Sequence, residues 1–112
     1  MRGSCHCGKV GFEVPRAPEQ VGSCNCSICR RTGGLWAYYR PDEVRIDSAE
    51  GATEAYIWGD KCLALHHCRT CGCITHWENL MPEGDRMGIN ARMLEGFDAE
   101  KAERRFIDGA SF

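Results

Sequence analysis

The chain has 112 residues, and its 14 basic and 16 acidic side chains give a formal charge of −2. This balance argues against a dedicated nucleic-acid-binding protein, which needs a basic surface to displace counterions from phosphate. No apolar run approaches the roughly 20 residues that span a bilayer, and the polar N-terminus lacks the apolar segment of a signal peptide. We therefore predict one cytoplasmic domain over residues 1–112 with no membrane partner, whose modest core would gain stability from a bound metal.

Proline and glycine residues divide the chain into short segments, which is typical of a mostly β domain with tight turns. In chain order, the predicted strands cover residues 9–14, 35–40, 44–47, 53–57, 62–67, 74–78, 87–90 and 104–107. One helical turn is predicted over residues 27–32. Asp98 is a plausible N-cap for a second short helix over residues 99–103.

Nine cysteines are the most informative feature of the composition. In a chain from a reducing compartment they indicate metal binding rather than disulfides, and their odd number agrees. Most of them fall into three clusters, which read Cys5-His6-Cys7-Gly8, Cys24-Asn25-Cys26-Ser27-Ile28-Cys29 and Cys68-Arg69-Thr70-Cys71-Gly72-Cys73. Thiolate is a soft ligand that suits zinc, and two thiolates one or two residues apart can bind one tetrahedral ion.

The first and third clusters each contain a cysteine that is followed directly by glycine. Glycine there allows a positive φ, which turns backbone N–H groups toward the sulfur. Two such knuckles from distant parts of the chain predict a closed, structural zinc site with four ligands, which are Cys5, Cys7, Cys68 and Cys71. The alternative is a set of buried thiols without metal.

The second cluster places three cysteines, Cys24, Cys26 and Cys29, within a few residues and has no obvious fourth partner. Three protein ligands with an open position are typical of catalytic zinc. The alternatives are a trio that holds no metal and a structural site closed by a distant residue. Candidates for that closure are Cys73, Cys62, His66, His67 and His76.

Arg30 and Arg31 directly follow the second cluster. They are candidates for offsetting the charge of the thiolates and for binding an anionic substrate or cofactor, and the alternative is a solvated pair at a helix end. Aromatic residues are predicted to form core and pocket walls rather than a surface for stacking bases, and these are Trp36, Tyr38, Tyr39, Trp58 and Trp77.

The three cysteine motifs, taken in order, resemble the glutathione-dependent formaldehyde-activating enzyme family, to which centromere protein V belongs. The resemblance extends over nearly the whole chain. Outside the cysteines it includes Tyr56-Ile57-Trp58-Gly59, Ile89-Asn90-Ala91-Arg92 and Phe106-Ile107-Asp108-Gly109. Two positions depart from the family pattern: Asn25 replaces a histidine, and Cys73 replaces a small hydroxyl residue.

The resemblance implies a β-tent fold, which consists mostly of antiparallel sheet, with two zinc ions. It implies that Cys5, Cys7, Cys68 and Cys71 hold a structural zinc, and that the catalytic zinc is held by Cys24, Cys26 and Cys29. It further implies a carbon–sulfur lyase that acts on S-hydroxymethylglutathione, the adduct of glutathione and formaldehyde.

Three hypotheses follow for function. The first is a zinc lyase for a thiol–aldehyde adduct, in which Arg30, Arg31 or Arg92 binds the carboxylates of glutathione. The second is a non-enzymatic, zinc-stapled binding module, and the third is a metal or redox sensor based on the second cluster. Nothing in the spacing selects a proton-transfer residue among the titratable residues near the third cluster, which are His76, Glu78 and Asp85.

Overall fold

Ten short strands dominate the computed structural model, which describes residues 1–111. They are β1 (Arg2–Ser4), β2 (Val10–Glu13), β3 (Gln20–Cys24), β4 (Trp36–Tyr39), β5 (Arg45–Ser48), β6 (Thr53–Tyr56), β7 (Leu63–Cys68), β8 (Ile74–Asn79), β9 (Met87–Asn90) and β10 (Glu103–Ile107). Helical structure is limited to α1 (Cys29–Thr32) and three 3₁₀ turns at Pro41–Glu43, Ala91–Met93 and Gly109–Ser111. The mostly β prediction is therefore confirmed.

The strands form two small sheets. One has three strands in the order β1-β2-β5, and the other has seven in the order β10-β3-β4-β9-β8-β7-β6. Neighbouring strands are antiparallel throughout, except for β10, which runs parallel to β3 and pairs Ile107 with Cys24. This parallel pair brings the end of the chain to the second cysteine cluster.

Alternation along β4 separates the core from a second apolar region. Ala37 and Tyr39 belong to the main buried cluster. Trp36 and Tyr38 point to the opposite face of the sheet, because successive strand residues alternate sides. The main cluster also takes residues from both sheets, and its members include Phe12, Val14, Val21, Leu35, Met87 and Ile89.

Two glycines make room for aromatic rings on that opposite face. Gly22 faces Tyr38, and Gly88 faces Trp77, so a Cβ at either glycine would overlap the ring. Gly88 is also the sheet neighbour of both Tyr38 and Trp77. Glycine in these strands therefore marks close packing against a large side chain rather than a turn.

Each strand predicted from the sequence is present, with ends that agree within one or two residues. β1 and β3 were not predicted, because they are short and largely polar. The predicted helix over residues 99–103 is wrong. Asp98 does cap a turn, accepting hydrogen bonds from the backbone N–H groups of Glu100 and Lys101, but Glu103 then enters β10 because it pairs with Gln20. In residues 1–111, no helix has the length and apolar character needed to cross a membrane.

Candidate metal centres

The first and third cysteine clusters meet in one group of four sulfurs. Cys5 follows β1, Cys68 ends β7, and Cys71 lies in the turn between β7 and β8. The Sγ of Cys7 is 3.6 Å from the Sγ of Cys5 and 3.6 Å from that of Cys68, and all four sulfurs lie within 4.8 Å of one another. A tetrahedral ion with bonds of about 2.3 Å requires sulfurs roughly 3.8 Å apart, so the group fits zinc.

The predicted glycine turns surround this group. Gly8 has φ of 83° and Gly72 has φ of 80°, both in the left-handed region that favours glycine. The N–H of Val10 donates to the Sγ of Cys5 at 3.4 Å, and the N–H of Gly72 donates to the carbonyl of Cys68 at 2.9 Å. These bonds fix the direction of the sulfurs, as expected for ligands around a metal.

The pKa values of these thiols indicate a group that needs a cation. Hydrogen bonds from the backbone N–H groups of Cys73 and Cys7 lower the pKa of Cys71 to about 5. Cys7 accepts a hydrogen bond from the backbone of Lys9, which lowers its pKa, but desolvation and the neighbouring thiols outweigh this and raise it to about 11. Four sulfurs this close cannot all be ionised unless a positive charge lies among them.

The second cluster also gathers its three sulfurs. Cys24 ends β3, Cys26 lies in the following turn, and Cys29 begins α1. The sulfurs lie within 4.8 Å of one another and are partly exposed. Helix α1 begins as the N–H of Arg30 bonds to the carbonyl of Cys26 at 3.0 Å, and it ends at Gly33, whose φ is 71°. We call Cys24, Cys26 and Cys29 the trio, and it could hold a metal ion.

Two members of the trio differ in how readily they ionise. Burial and a hydrogen bond with Cys26 raise the pKa of Cys29 to about 12, although a hydrogen bond from the side chain of Trp36 opposes this. Burial opposes ionisation of Cys26 as well. Hydrogen bonds outweigh burial and lower the pKa of Cys26, and the largest of these contributions comes from the backbone N–H of Cys29. Cys26 is therefore the thiol that is better prepared to meet a cation.

The C-terminal segment packs against the trio through Asn25, one of the two residues that depart from the family pattern. The Nδ2 of Asn25 donates to the Oδ1 of Asp108 at 2.9 Å, and its Oδ1 accepts from the N–H of Ala110 at 2.9 Å. These bonds hold Gly109 so close to the trio that a Cβ at that position would overlap the Sγ of Cys24. Gly109 was not among the site residues predicted from the sequence, although it lies in one of the family-like stretches.

One side of the trio faces an apolar cavity of about 260 Å³. Four of the five aromatic residues named from the sequence line its walls and the fifth, Tyr39, lies in the core, so the prediction that they form core and pocket walls is confirmed. Arg86 also lines the cavity, with its guanidinium 4.6 Å from the centre of the Tyr38 ring. The remaining walls are Trp36, Tyr38, Trp58, Trp77, Ile28, Leu63, Leu65, Ile107 and Gly109. We call this space the aromatic cavity.

The other side of the trio faces a groove that contains three arginines, Arg30, Arg92 and Arg104. Cys24 and Cys29 line both the groove and the aromatic cavity. Glu100 forms ion pairs with Arg92 and Arg104, whereas Arg30 forms none within residues 1–111. We call this space the arginine groove, and it retains positive charge beside the trio.

Arg31 lies away from both spaces. Its Nη1 donates to the carbonyl of Ser27 at 2.7 Å, and it lines neither the aromatic cavity nor the arginine groove. Arg92 and Arg30 do line the groove. No sequence signal pointed to Arg86 or Arg104, because both reach the site only through the folding of distant segments.

The residues proposed to close the trio lie elsewhere. Cys73 packs beside the four-sulfur group, and Cys62 has its pKa raised chiefly by a hydrogen bond with Asp60. Within residues 1–111, no further histidine, cysteine or carboxylate joins the three sulfurs. The histidines occupy the sheet instead: His66 stacks on His76 with ring centres 4.4 Å apart and bonds to Glu78 at 2.8 Å, and His67 lies near Glu54.

Known proteins resemble the chain in both sequence and structure. The family model described as glutathione-dependent formaldehyde-activating enzyme matches residues 1–106. The chain belongs to this family. A Halomonas elongata protein, provisionally named a glutathione-dependent formaldehyde-activating enzyme, is 49% identical over 39 residues, which are 34% of this chain and 25% of that protein. The match thus spans about a quarter of that curated relative.

A solved structure extends the comparison to the fold. The crystal structure of a Rhodobacter sphaeroides protein, a structural genomics target, has a TM-score of 0.80 and 29% identity. The match covers 94% of this chain and 100% of the other. The fold of this chain therefore agrees with that of an independently solved protein over almost the full length of the chain.

Proposed function

We propose that this family member is a zinc-dependent, carbon–sulfur lyase-like enzyme that acts on a thiol–aldehyde adduct of the S-hydroxymethylglutathione type. In this proposal, Cys5, Cys7, Cys68 and Cys71 hold a structural zinc, and the trio holds a second, catalytic zinc. The observation that carries the proposal is that the trio has three sulfur ligands and no fourth ligand among residues 1–111, yet borders two spaces that can receive a substrate.

Zinc bound at the trio would supply a Lewis acid for the sulfur or oxygen of the adduct. The chain itself would bind and orient the substrate. Arg30 is the groove arginine without an ion pair in the described residues, so it is suited to a carboxylate of glutathione. Arg31, which the sequence also suggested for this role, stays a prediction, because it would have to leave its bond to Ser27.

The aromatic cavity would exclude water from the reacting atoms. Trp36 is 2% exposed and closes one wall. Burial raises the pKa of Tyr38, so its hydroxyl stays protonated near neutral pH and can donate a hydrogen bond to a carbonyl oxygen. The residues that the sequence offered for proton transfer do not line either space, and these are His76, Glu78 and Asp85.

We also propose that the protein is a single domain over residues 1–112 in a reducing compartment such as the cytoplasm. The four-sulfur group supports one domain, because Cys5 follows a strand of the smaller sheet and Cys68 ends a strand of the larger one. Nine free cysteines support a reducing compartment.

The activity can be tested by magnetisation-exchange NMR on glutathione, formaldehyde and their adduct at equilibrium. Zinc-loaded protein should exchange the adduct with its components faster than the spontaneous reaction, and Cys26→Ser should abolish the acceleration. If zinc-loaded protein gives only the spontaneous rate, the proposed enzyme is wrong. The binding-module hypothesis would then be preferred, since it requires no turnover.

A further inference from the structure

The trio separates two spaces of opposite chemical character. The arginine groove is polar and positively charged, whereas the aromatic cavity is bounded mainly by rings and aliphatic side chains, with Arg86 as its one charged wall residue among residues 1–111. Cys24 and Cys29 border both of them, so a sulfur atom at the trio would have one substituent on each side. An adduct of a thiol and an aldehyde has this two-part shape.

Formaldehyde is too small for the space on the apolar side. It contributes a single carbon to an adduct, yet the aromatic cavity measures about 260 Å³. An enclosed apolar cavity of about 150 Å³ is already large enough to bind benzene. The cavity therefore matches a ring-sized apolar group.

The aromatic walls of the cavity are held in place by contacts with one another and with neighbouring residues. Trp77 and Tyr38 meet edge to face with ring centres 6.3 Å apart, and Gly88 beneath them leaves room for the Trp77 ring. Trp58 stacks on Tyr56 at 5.0 Å and 13° between planes. Aromatic walls at fixed positions favour another ring through offset or edge-to-face contact.

We infer that the adduct handled at the trio carries a ring-sized apolar group, and that its aldehyde part supplies this group. The inference rests on the proposed function and extends it to larger aldehydes. Its reaction needs no oxidant: the thiol sulfur bonds to the carbonyl carbon, the C=O π bond breaks, and the thiol proton passes to the carbonyl oxygen. The thiol part, with its carboxylates, would occupy the arginine groove.

A pair of stable glutathione thioethers tests the inference by binding alone. S-benzylglutathione carries a ring, and S-methylglutathione is the matched compound without one. Calorimetry on the zinc-loaded protein should show that S-benzylglutathione binds more tightly than S-methylglutathione by about tenfold or more, because the ring leaves water for an apolar space. Equal or weaker binding of the benzyl compound would overturn the inference and leave the proposed function intact. If neither compound binds, the inference fails, and the exchange experiment with formaldehyde decides the proposed function separately.

Filling the cavity supplies a structural test of the same preference. Leu63→Trp should reduce the benzyl-to-methyl affinity ratio toward one, because Leu63 lines the cavity. The control is Leu80→Trp at a residue that is 41% exposed and lies outside the cavity walls, and it should keep the wild-type ratio. A Leu63→Trp protein that is folded by circular dichroism and keeps the wild-type ratio would place the ring elsewhere and overturn the inference.

Exchange NMR then decides which part of the adduct supplies the ring. With glutathione as the thiol, acceleration over the spontaneous rate should be at least about tenfold greater for phenylacetaldehyde than for acetaldehyde. The pair of formaldehyde and benzyl mercaptan gives the opposite arrangement. A greater acceleration over the spontaneous rate for that pair than for phenylacetaldehyde with glutathione would assign the ring to the thiol and overturn the inference. Acceleration confined to formaldehyde and acetaldehyde would overturn it as well, while supporting the proposed enzyme.

Discussion

Asn25 and Asp108 connect the second cysteine cluster to the C-terminal segment through a hydrogen bond of 2.9 Å between Nδ2 and Oδ1. The other end of the same amide accepts the N–H of Ala110, so both polar atoms of one side chain hold the segment over the trio. Asn25, which departs from the family pattern, thus supports the candidate site without being one of its cysteines.

Removing this amide should weaken metal binding at the trio. We expect Asn25→Ala to lower the zinc affinity of that site by about tenfold, which is the usual effect of losing a group that supports metal ligands. Competition with a chromophoric chelator would measure the affinity of the weaker zinc. Asp108→Asn is the matched control, because it keeps an oxygen to accept the Asn25 hydrogen bond. Equal losses in the two variants would contradict this role for Asn25.

Gly109→Ala should also disturb the trio, through steric overlap rather than a lost bond. The added Cβ would meet the Sγ of Cys24, so we expect weaker zinc binding and slower adduct exchange. Gly11→Ala is the control, because the nearest neighbour of its new Cβ is 3.5 Å away at Arg2. Chelator competition and thermal unfolding would compare the two proteins. A Gly109→Ala protein with wild-type zinc affinity would argue against close packing at this position.

The two cysteine groups should differ in their effect on folding. Cys71→Ser removes a ligand from the group that joins the two sheets, and we expect it to unfold the protein, because the affinity for a structural zinc is folding free energy. Cys26→Ser should leave the fold intact and reduce the zinc content from two to one per chain. Circular dichroism and metal analysis measure both effects. Equal unfolding by the two substitutions would refute the division into structural and catalytic sites.

His76 gives a prediction for the dependence of stability on pH. Burial, aided by the charge of His66 and opposed by Glu78, lowers the pKa of His76 from its ordinary 6.5 to about 4. As pH falls, His76 is therefore protonated in the unfolded chain before it is protonated in the folded protein. The folded protein loses stability as pH falls from 6.5 toward 4. From the titration of His76 alone, the free energy of unfolding should decrease by about 1 kcal/mol as pH falls from 7.5 to 5.5.

Urea unfolding at several pH values would measure how the free energy of unfolding depends on the titration of His76. In His76→Gln the dependence that arises from this imidazole should vanish, so the difference in free energy of unfolding between variant and wild type should change by about 1 kcal/mol across that interval. Taking the difference cancels the thiol titrations that the two proteins share. Parallel pH profiles would show that His76 does not contribute in this way.

The sequence predicted most of the strands because their apolar residues form short runs between glycines and prolines. It missed β3, whose Gly22 reads as a strand breaker but in fact makes room for Tyr38. It also predicted a helix after Asp98, because local capping cannot reveal that Glu103 has a partner in β3. In both cases tertiary contacts decided the local structure.

The cysteine groups could be predicted from spacing and neighbouring glycines, and the structure brings the same residues together. The surroundings of the trio could not. Arg104 comes from β10 and Arg86 from the segment before β9, and both lie more than 50 residues from the trio along the chain. Cys73, which the sequence offered as a fourth ligand, lies beside the other group because β7 and β8 lead it there.

Optical spectroscopy of the cobalt-substituted protein can test whether the trio holds a metal with one position open to a thiol. Glutathione should increase the thiolate-to-cobalt charge-transfer absorption by the amount expected for one added thiolate on one of two ions. The four-sulfur group, which is already closed, serves as an internal reference. The increase should be absent in Cys26→Ser. A wild-type spectrum that does not change at saturating glutathione would show that the trio has no metal position open to a thiol.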